Sequence, residues 1–515
     1  MSCSRIISFI VPVLLAIVAI PVKPEAQTLT RDQVISALPA LEALAQRETD
    51  ANNVPGLAIA VVYNDEVVYL KGFGHREAGK PDLVNADTVF QIASLSKPVS
   101  STVVAALVGE GVVAWDSRIA DLDPAFQLRE PYPSAQVTIR DMFSHRSGLP
   151  GAAGNELEEI GYGREEVAHR LRLVSPSSSF RAGYSYSNAA LTEGAVAAAK
   201  PTGKAWEEVA QEKLYRPLGM SSTSSTYADF LSRSNRAELH ARMDGVWSSK
   251  VKRDPDVQAP AGGVSSSARD LAQWMRLELS GGVYNGKQVI ASSAIEETHK
   301  PLMALGTNPV SGGAVFYGLG WNIDFGRHGL TWGHAGAFSV GSRTVVTLFP
   351  KSNLGILVLT NAFPTGVPEG LCDSFADLVF DGKVEKDWIK PWNALFEGLF
   401  GPAMATSKAT YATSPTPATP ALALSAYTGH YANPYIGEAV ITDQNGTLTL
   451  SVGPGSAHSL PLRHFDRDMF VCNPSPELPD WLSPVQFAIG PDGKASAITI
   501  DFLNEVGLGT LKRTQ

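Results

Sequence analysis

A serine and a lysine three positions apart, Ser94 and Lys97, stand in the stretch QIASLSKPVSSTVVAALVGEGVV at 91–113. Helix positions three apart share a face and adjacent ones do not, so Lys97 can meet Ser94 but cannot face Ser96. A buried lysine can lose its proton and then accept the proton of a neighbouring hydroxyl. The pair therefore predicts a nucleophilic serine and its base.

The place of Ser94 in the chain distinguishes it from Ser100 and Ser101, which also lie within reach of Lys97. Only Ser94 stands where a strand-like segment ends and a helix begins. There, free backbone N–H groups and the positive end of the helix dipole favour a developing oxyanion. Pro98 fits this placement, because proline is tolerated in the first turn of a helix.

A second polar group, Tyr186-Ser187-Asn188, opens another small-residue helix in FRAGYSYSNAALTEGAVAAA. A tyrosine held near lysines has a lowered pKa and can shuttle protons, and an asparagine can hold a lysine or a substrate amide. Tyr184 is a nearby competitor for this role. A packed aromatic is the alternative interpretation of Tyr186.

A third group, His334-Ala335-Gly336, lies in the strand-like run LTWGHAGAFSVGSRTVVTLF. Glycine within a strand favours the close approach of another backbone or a ligand. His334 can donate a hydrogen bond to a substrate carboxylate or to Tyr186. Its alternative is a strand histidine satisfied by local partners.

Two further copies of these spacings are predicted to have no catalytic role. Ser249 and Lys252 repeat the serine–lysine spacing in a charged, proline-broken stretch, which is typical of a surface loop. Tyr431 and Asn433 repeat the tyrosine–asparagine spacing, but Pro434 follows and marks a turn.

The surrounding patterns predict a sheet built from both ends of the chain. A helical period covers 31–52, and 57–74 forms two strands joined at Asn64-Asp65, a turn-forming pair. Helical periods and Gly/Pro/Ser loops fill a helical insert at about 114–305, and strand-like runs return over 316–361. These elements are expected to bring the three motifs together.

The last quarter of the chain is predicted to be a separate unit. Residues 403–420 form an Ala/Thr/Ser/Pro stretch that cannot bury enough apolar surface to fold, so we expect a linker. Residues 421–515 show short alternating runs broken by turn signals, which indicate a small antiparallel β-domain. Cys372 and Cys472 are expected to be two buried small residues, with pairing left open.

The N-terminus and the composition limit the location and the partners. Residues 1–26 have the charge and apolar core of a signal peptide, with an uncleaved membrane anchor as the alternative, so we expect a secreted or periplasmic protein. The net charge of -9 argues against nucleic-acid binding. HExxH and other metal-binding patterns are absent from the sequence, and neither metal nor cofactor is predicted.

The three motifs, in this order, resemble those of the serine β-lactamase and penicillin-binding-protein superfamily. The branch of class C β-lactamases, DD-peptidases, D-aminopeptidases and β-lactamase-like esterases is most similar. The resemblance covers about 28–400 and includes the phrases SHRSGLP (144–150), YRPLGM (215–220), PAGGVSSSARDLAQW (260–274) and YGLGW (317–321).

This resemblance implies an α+β fold. A hydrolase domain over 27–402 would hold an antiparallel sheet flanked by helices, together with a mainly helical subdomain. The C-terminal β-domain resembles the small lipocalin-like domain that is appended to some of these hydrolases.

It also implies roles for the motif residues. Ser94 attacks the carbonyl, Lys97 and Tyr186 transfer the proton, and the choice of acylation base between these two stays open. Asn188 orients. The backbone N–H groups of Ser94 and Ala337 form the oxyanion hole. The segment His334, Ala335 and Gly336 binds substrate.

The third motif shifts the expected substrate. Class C β-lactamases usually carry Lys-Thr-Gly where this chain has His-Ala-Gly, and histidine there is typical of the peptidase and esterase branches. We therefore expect D-Ala-D-Ala-type peptides, including peptidoglycan-derived ones, D-amino-acid peptides and short esters ahead of β-lactams. The alternatives are a β-lactamase and a sensor that binds penicillin or peptidoglycan fragments without turnover. The oligomeric state is not predicted.

Overall fold

A computed structural model describes residues 29–515 except 244 and 476–480. The predicted signal peptide, 1–26, lies outside the described residues. Within them, the structure contains no helix with the length and apolar character that crossing a membrane requires.

The regular elements of the described residues follow the chain from an N-terminal helix to a C-terminal run of strands. The α-helices are α1 (Arg31–Asp50), α2 (Ser96–Gly109), α3 (Ile119–Leu122), α4 (Pro131–Gln136), α5 (Ile139–Phe143), α6 (Asn155–Glu159), α7 (Arg164–Arg170), α8 (Asn188–Ala199), α9 (Trp206–Ala210), α10 (Tyr227–Ser232), α11 (Ala259–Gly262), α12 (Ala268–Leu279), α13 (Ser292–Thr298), α14 (Val367–Asp381) and α15 (Ile389–Tyr411). The strands up to the end of the main sheet are β1 (Gly56–Tyr63), β2 (Glu66–Gly74), β3 (Phe90–Gln91), β4 (His240–Met243), β5 (Val246–Ser248), β6 (Ser265–Ser266), β7 (Val283–Tyr284), β8 (Lys287–Gln288), β9 (Met303–Thr307), β10 (Ala314–Tyr317), β11 (Asn322–Gly326), β12 (Gly329–Phe338), β13 (Ser342–Phe349), β14 (Leu354–Thr360) and β15 (Ala362–Phe363). The remaining strands are β16 (Gly429–Asn433), β17 (Gly437–Gln444), β18 (Thr447–Val452), β19 (His458–Asp466), β20 (Met469–Cys472), β21 (Ser483–Ile489), β22 (Ala495–Ile500) and β23 (Thr510–Arg513).

The main sheet is antiparallel and has the strand order β2-β1-β14-β13-β12-β11-β10-β9. Its first two strands come from the N-terminal part and the others follow the helical region, so the predicted assembly from both ends is confirmed. Asn64 and Asp65 have φ of 47° and 63°, the left-handed conformation that a two-residue type I′ hairpin needs.

Helices cover both faces of this sheet. Helices α1 and α14 pack on one face, and α12 packs on the other face against β1, β2 and β14. Strand β1 is buried along its whole length because it is covered on both sides. The antiparallel sheet with flanking helices and a helical subdomain confirms the predicted α+β class.

Helix α2 lies at the centre of the helical region, against α8, α11 and α13. The small residues of α8 let its neighbours approach closely. At Gly194 a Cβ would lie 2.7 Å from the Cβ of Met142 in α5, a separation that a side chain does not tolerate. The small residues of α8 thus let this helix pack closely against α5, and α8 also contacts α2.

The C-terminal strands β16–β23 close into an eight-stranded barrel, which confirms the predicted β-domain. The expected linker is wrong in its first half, because α15 continues through 403–411. Alanine, methionine and lysine are strong helix formers, and they extend a helix whose start is anchored to α14 by the Trp392 indole N–H, which donates to Asp373 at 2.8 Å. Cys372 and Cys472 are buried, as expected, and they are not bridged to each other, a point that the sequence left open.

Candidate active site

Ser94 lies in a tight turn between β3 and α2, in the 3-10 segment Ala93–Leu95. From Thr88 to Leu107 it is the only residue that is not buried. Ala93 has a φ of 49°, a left-handed conformation that is unusual for a residue with a side chain. Backbone strain of this kind is concentrated at functional sites. The turn therefore presents one hydroxyl from an otherwise buried segment.

The neighbouring serines have structural roles. The Ser96 hydroxyl donates to the carbonyl of Ala93 at 2.6 Å and accepts the N–H of Val264 at 2.9 Å. The Ser100 hydroxyl donates to the carbonyl of Pro260 at 2.7 Å, and Ser101 is fully buried. These hydroxyls lie inside the protein, which leaves Ser94 as the nucleophile candidate.

The side-chain nitrogen of Lys97 contacts three oxygens. Its Nζ lies 3.0 Å from the Ser94 Oγ, 2.7 Å from the Asn188 Oδ1 and 2.9 Å from the Ala261 carbonyl oxygen. Lys97 is fully buried, and burial lowers its pKa well below the usual value. The two carbonyl oxygens can only accept, so a neutral amine donates its two hydrogens to them and directs its lone pair at Ser94.

The Tyr186 ring lies against Lys97, with the Nζ 4.5 Å from the ring centroid. Burial raises the pKa of Tyr186, and the hydrogen bond with Ser94 and the charge of Arg343 offset only part of this rise. The predicted lowering of the Tyr186 pKa is therefore wrong. The lysine beside it is itself held neutral, so burial of the phenol dominates.

Asn188 is the first residue of α8, which begins with a cap. The Ser187 hydroxyl accepts the N–H of Ala190 at 3.3 Å, which satisfies an otherwise free donor at this helix end. The cap fixes the orientation of Asn188, whose side-chain oxygen accepts from Lys97. The structure thus brings Ser94, Lys97, Tyr186 and Asn188 together.

His334 reaches the site from β12, but its hydrogen bonds differ from those expected. Its Nδ1 lies 2.7 Å from the Ala335 carbonyl oxygen, and its Nε2 lies 3.0 Å from the Tyr317 hydroxyl. Burial, with the neighbouring Lys97, lowers the pKa of His334 to about 3. The carbonyl can only accept, so Nδ1 carries the hydrogen of the neutral ring and Nε2 accepts from Tyr317.

The structure thus gives His334 other hydrogen-bond partners than the two predicted acceptors. Its one N–H is used by the Ala335 carbonyl, so no hydrogen remains for a substrate carboxylate. Its other nitrogen pairs with Tyr317 instead of Tyr186, whose ring centroid is 6.3 Å from that of His334. Sequence spacing alone does not identify this partner, which comes from β10.

Strand β12 passes very close to the Ser94 turn at Gly336. A Cβ at this position would overlap the Ile92 carbonyl oxygen and lie 2.9 Å from the Leu95 backbone nitrogen, so only glycine fits. From β13, the Thr344 and Ser342 hydroxyls donate to the carbonyls of Ile92 and Gln91, each at 2.8 Å. The predicted close approach at this motif is present.

The end of β12 offers a free strand edge beside Ser94. Strand β11 pairs with β12 only over 329–333, so residues 334–338 pair with β13 alone among the described strands. Such an edge presents backbone donors and acceptors to an extended ligand. Ala335 and Ala337 lie on this edge, where the predicted substrate-binding and oxyanion-hole groups were placed.

Three residues of the site were not predicted from the sequence. Each lies in one of the phrases that carry the family resemblance but for which no role was predicted. Ala261 supplies a carbonyl to Lys97, Tyr317 donates to His334, and His145 packs its ring 4.5 Å from that of Tyr186. A backbone carbonyl leaves no signal in residue type. For Tyr317 and His145, the only sequence signal was that YGLGW and SHRSGLP resemble phrases of the family.

Neither of the two further copies of the motif spacings is part of this site. Ser249 donates to a Glu77 carboxylate at 2.9 Å, and the exposed Lys252 pairs with Glu238 at 2.5 Å, as expected of a surface loop. Tyr431 is buried in the barrel and donates to the Tyr427 carbonyl at 2.6 Å.

One group of described side chains has the composition of a metal site. His328, Asp377 and Asp381 place one ligand atom each within 4.8 Å of the others. The guanidinium of Arg327 already bonds to Asp381 and supplies the positive charge there. The group is therefore a salt-bridge cluster between the turn at 327–328 and α14.

Comparison with known proteins gives two family matches. The sequence model of the Beta-lactamase family matches residues 41–379, and a domain of unknown function (DUF3471) matches 413–510. The second match coincides with the barrel.

Similar proteins of known name include hydrolases and a peptidase. The Unguisins hydrolase ungD' of Aspergillus campestris is 26% identical over 91% of this chain and 90% of the relative. The D-alanyl-D-alanine-carboxypeptidase/endopeptidase AmpH of Escherichia coli is 25% identical over 65% of this chain and 87% of the relative. An octameric penicillin-binding protein homologue from Pyrococcus abyssi shares the fold, with a TM-score of 0.57 and 18% identity over 92% of this chain and 99% of that one.

Proposed function

The chain belongs to the beta-lactamase family of serine hydrolases, and on that premise we propose that it is an exported enzyme that cleaves an ester or amide through an acyl-enzyme on Ser94. The observation that carries the proposal is the fully buried Lys97, whose Nζ lies 3.0 Å from the Ser94 Oγ. The proposed export depends on the signal-like residues 1–26.

We assign the role of acylation base to Lys97. Its lowered pKa and its two carbonyl acceptors leave a lone pair directed at the Ser94 hydroxyl. Tyr186 is the poorer base, because burial raises its pKa and makes the phenolate costly. Tyr186 keeps its proton and is placed to pass it on.

The reaction then follows from these positions. The Ser94 Oγ forms a bond to the carbonyl carbon while its proton moves to the Lys97 Nζ. The oxyanion accepts hydrogen bonds from the backbone N–H groups of Ser94 and Ala337. The bond to the leaving group breaks as Tyr186 protonates it, and Lys97 returns a proton to the phenol. Water then forms a bond to the acyl carbon while its proton moves to the Lys97 Nζ. The bond from that carbon to the Ser94 Oγ breaks, and the Oγ takes the proton back from Lys97.

The charges at the site favour a substrate with an uncharged leaving group. The basic side chains that meet there, Lys97, His145 and His334, all have lowered pKa values because of burial. Arg343 also acts on the pKa of His334, but its guanidinium is bonded to Glu369 at 2.7 Å. Within the described part of the site, a leaving-group carboxylate finds no free cation, so esters and amides without one rank ahead of D-Ala-D-Ala peptides.

A panel of substrates tests this proposal. Phenyl phenylacetate and 3-carboxyphenyl phenylacetate differ only in a leaving-group carboxylate, and we expect the uncharged ester to have the higher kcat/KM. D-amino-acid amides, D-Ala-D-Ala peptides and nitrocefin complete the panel. A clear preference for the carboxylate esters or for D-Ala-D-Ala would refute the proposed charge preference.

The nucleophile is tested by Ser94→Ala, with Ser96→Ala as the matched control. We expect Ser94→Ala to lower turnover by about 10⁴-fold or more and to abolish labelling by a fluorophosphonate probe, while Ser96→Ala remains labelled. Labelling that persists in Ser94→Ala would remove Ser94 from the role. A burst of one equivalent of product with no further turnover would favour the alternative, a sensor that binds its ligand without turnover.

A further inference from the structure

His145, in the phrase SHRSGLP, is a fully buried residue beside the site for which the reaction above has no use. Its backbone adopts a left-handed conformation with a φ of 55°. Its ring centroid lies 4.5 Å from that of Tyr186, 5.0 Å from that of Tyr317 and 5.7 Å from that of Tyr184. The imidazole is therefore enclosed by aromatic rings, one of which belongs to the proton-transferring phenol.

Two hydrogen bonds connect His145 to the chain on either side of Tyr186. The N–H of Ser187 donates to the His145 Nδ1 at 3.0 Å. The N–H of Ser185 donates to the His145 carbonyl at 2.8 Å. The residues immediately before and after Tyr186 are thus both attached to the same residue.

These bonds define the protonation of the ring. Burial, together with the neighbouring Lys97 and His334, lowers the pKa of His145 well below its usual value. The ring is therefore neutral, and since Nδ1 accepts, the hydrogen is on Nε2. This is the opposite tautomer from His334.

The Nε2 atom contributes nothing visible to stability. It is buried and has no hydrogen-bond partner among the described residues, and a buried donor without a partner destabilises the folded state. A histidine is thus a poor choice for packing alone at this position. What the ring supplies is an acceptor at Nδ1 and a surface for Tyr186.

We propose that His145 is a positioning residue, which fixes the backbone around Tyr186 and thereby holds the phenol against Ser94 and Lys97. The same two hydrogen bonds fix the start of α8, and hence the position of Asn188. His145 touches no reacting atom, and the inference rests on the proposed function because it concerns the same proton path.

Two variants separate positioning from simple packing. His145→Asn keeps an acceptor near the Nδ1 position and tolerates the left-handed backbone, whereas His145→Leu keeps the volume and removes the acceptor. We expect His145→Leu to lower kcat and the rate of fluorophosphonate labelling of Ser94 by about 10²-fold, with KM changed by less than threefold. His145→Asn should recover most of this loss.

The outcomes are distinguishable. Native-like labelling in His145→Leu, or an equal loss in His145→Asn, would overturn the inference. A native chain that is neither labelled nor active would refute the proposed function itself. Should His145→Leu fail to fold, the Asn variant and the ¹⁵N imidazole spectrum of the native chain decide. That spectrum should show a neutral Nε2–H tautomer from pH 5 to 9, and an Nδ1–H tautomer would contradict the inference.

Discussion

At the scale of single residues, the chemistry depends on removing charge from basic groups. Lys97 contacts three neutral oxygens, and no carboxylate is among its described partners. A lysine in this position keeps its proton only at a cost in free energy, since burial without a counter-ion disfavours the charged form. The same burial lowers the pKa of Lys97, so more of it is present as the free amine, which is the form that can accept a proton.

The first prediction concerns this base. Lys97→Arg keeps a positive charge that cannot be released, and Lys97→Met removes the nitrogen at similar length. If the neutral amine takes the Ser94 proton, both variants should lose about 10³-fold in acylation rate, measured by pre-steady-state ester cleavage.

The native pH profile gives a second readout of the same group. Burial lowers the pKa of Lys97, so its amine stays free at a lower pH than that of an exposed lysine and becomes protonated as the pH falls further. The acylation rate should therefore decline on the acid side. A Lys97→Arg variant with near-native activity would show that the charge, and not the base, is what matters.

At the scale of elements, the site exists because β12 and the Ser94 turn approach more closely than side chains allow. Gly336 permits that contact, and hydroxyls of β13 hold the carbonyls of Ile92 and Gln91. The strained turn at Ala93 and the start of α2 then fix the direction of Ser94. The nucleophile is placed by two elements that are about 240 residues apart in the chain.

The second prediction follows from this contact. Gly336→Ala adds a methyl group that overlaps the Ile92 carbonyl and the Thr344 hydroxyl, so β12 must shift away from Ser94. A displacement of about 1 Å lowers the rate about 10²-fold, and we expect kcat to fall accordingly.

Gly163→Ala is the matched control for this change. A Cβ at Gly163 meets no atom within 4 Å, and we expect its kcat to stay native. Stopped-flow measurement of ester cleavage compares the two variants. Native kcat in Gly336→Ala would mean that β12 does not set the geometry of the nucleophile.

At the scale of the whole molecule, the C-terminal barrel packs against the hydrolase domain at α6. Tyr435 of the barrel accepts the N–H of Gly154 at 3.0 Å and donates to a Glu156 carboxylate oxygen at 3.3 Å. On the opposite side of α6, Glu158 pairs with Arg253 at 2.7 Å, and the Arg253 carbonyl accepts from Gln91. A continuous path of contacts thus leads from the barrel to the segment before Ser94.

The third prediction concerns the pH dependence of this docking. Burial raises the pKa of Glu156 to about 7, and the nearby Glu505 of the barrel adds to the rise. The folded state then keeps this proton to a higher pH than the unfolded state does. The associated stability is present below pH 4.5 and is lost as the pH rises through about 7.

Glu156→Gln cannot ionise and should remove this dependence. Relative to the native chain, we expect the variant to gain about 2–3 kcal/mol between pH 5 and pH 8, seen as a rise in the thermal unfolding midpoint of a few degrees. Glu165→Gln, at an exposed position in α7, is the control and should show no such gain. An equal effect of Glu156→Gln at both pH values would refute the prediction.

Much of the fold and half of the site could be predicted from the sequence. The period of three places Ser94 beside Lys97 within one helical turn, and strand alternation with the Asn64-Asp65 turn identifies the first hairpin. These features are local, so residue order and backbone geometry are enough to determine them. The helix through 403–411 was missed, because composition predicted a linker although the anchored start of α15 extends it.

What only the tertiary structure decided is the protonation and the partners of the site. The raised pKa of Tyr186 and the lowered pKa values of Lys97 and His334 follow from burial, which depends on elements far away in the chain. The bond from Tyr317 to His334, the Ala261 carbonyl on Lys97 and the clamp of His145 on Tyr186 join segments with no sequence relation. The sequence determined by itself which groups are available for chemistry, and the folded environment determined which of them carry a proton.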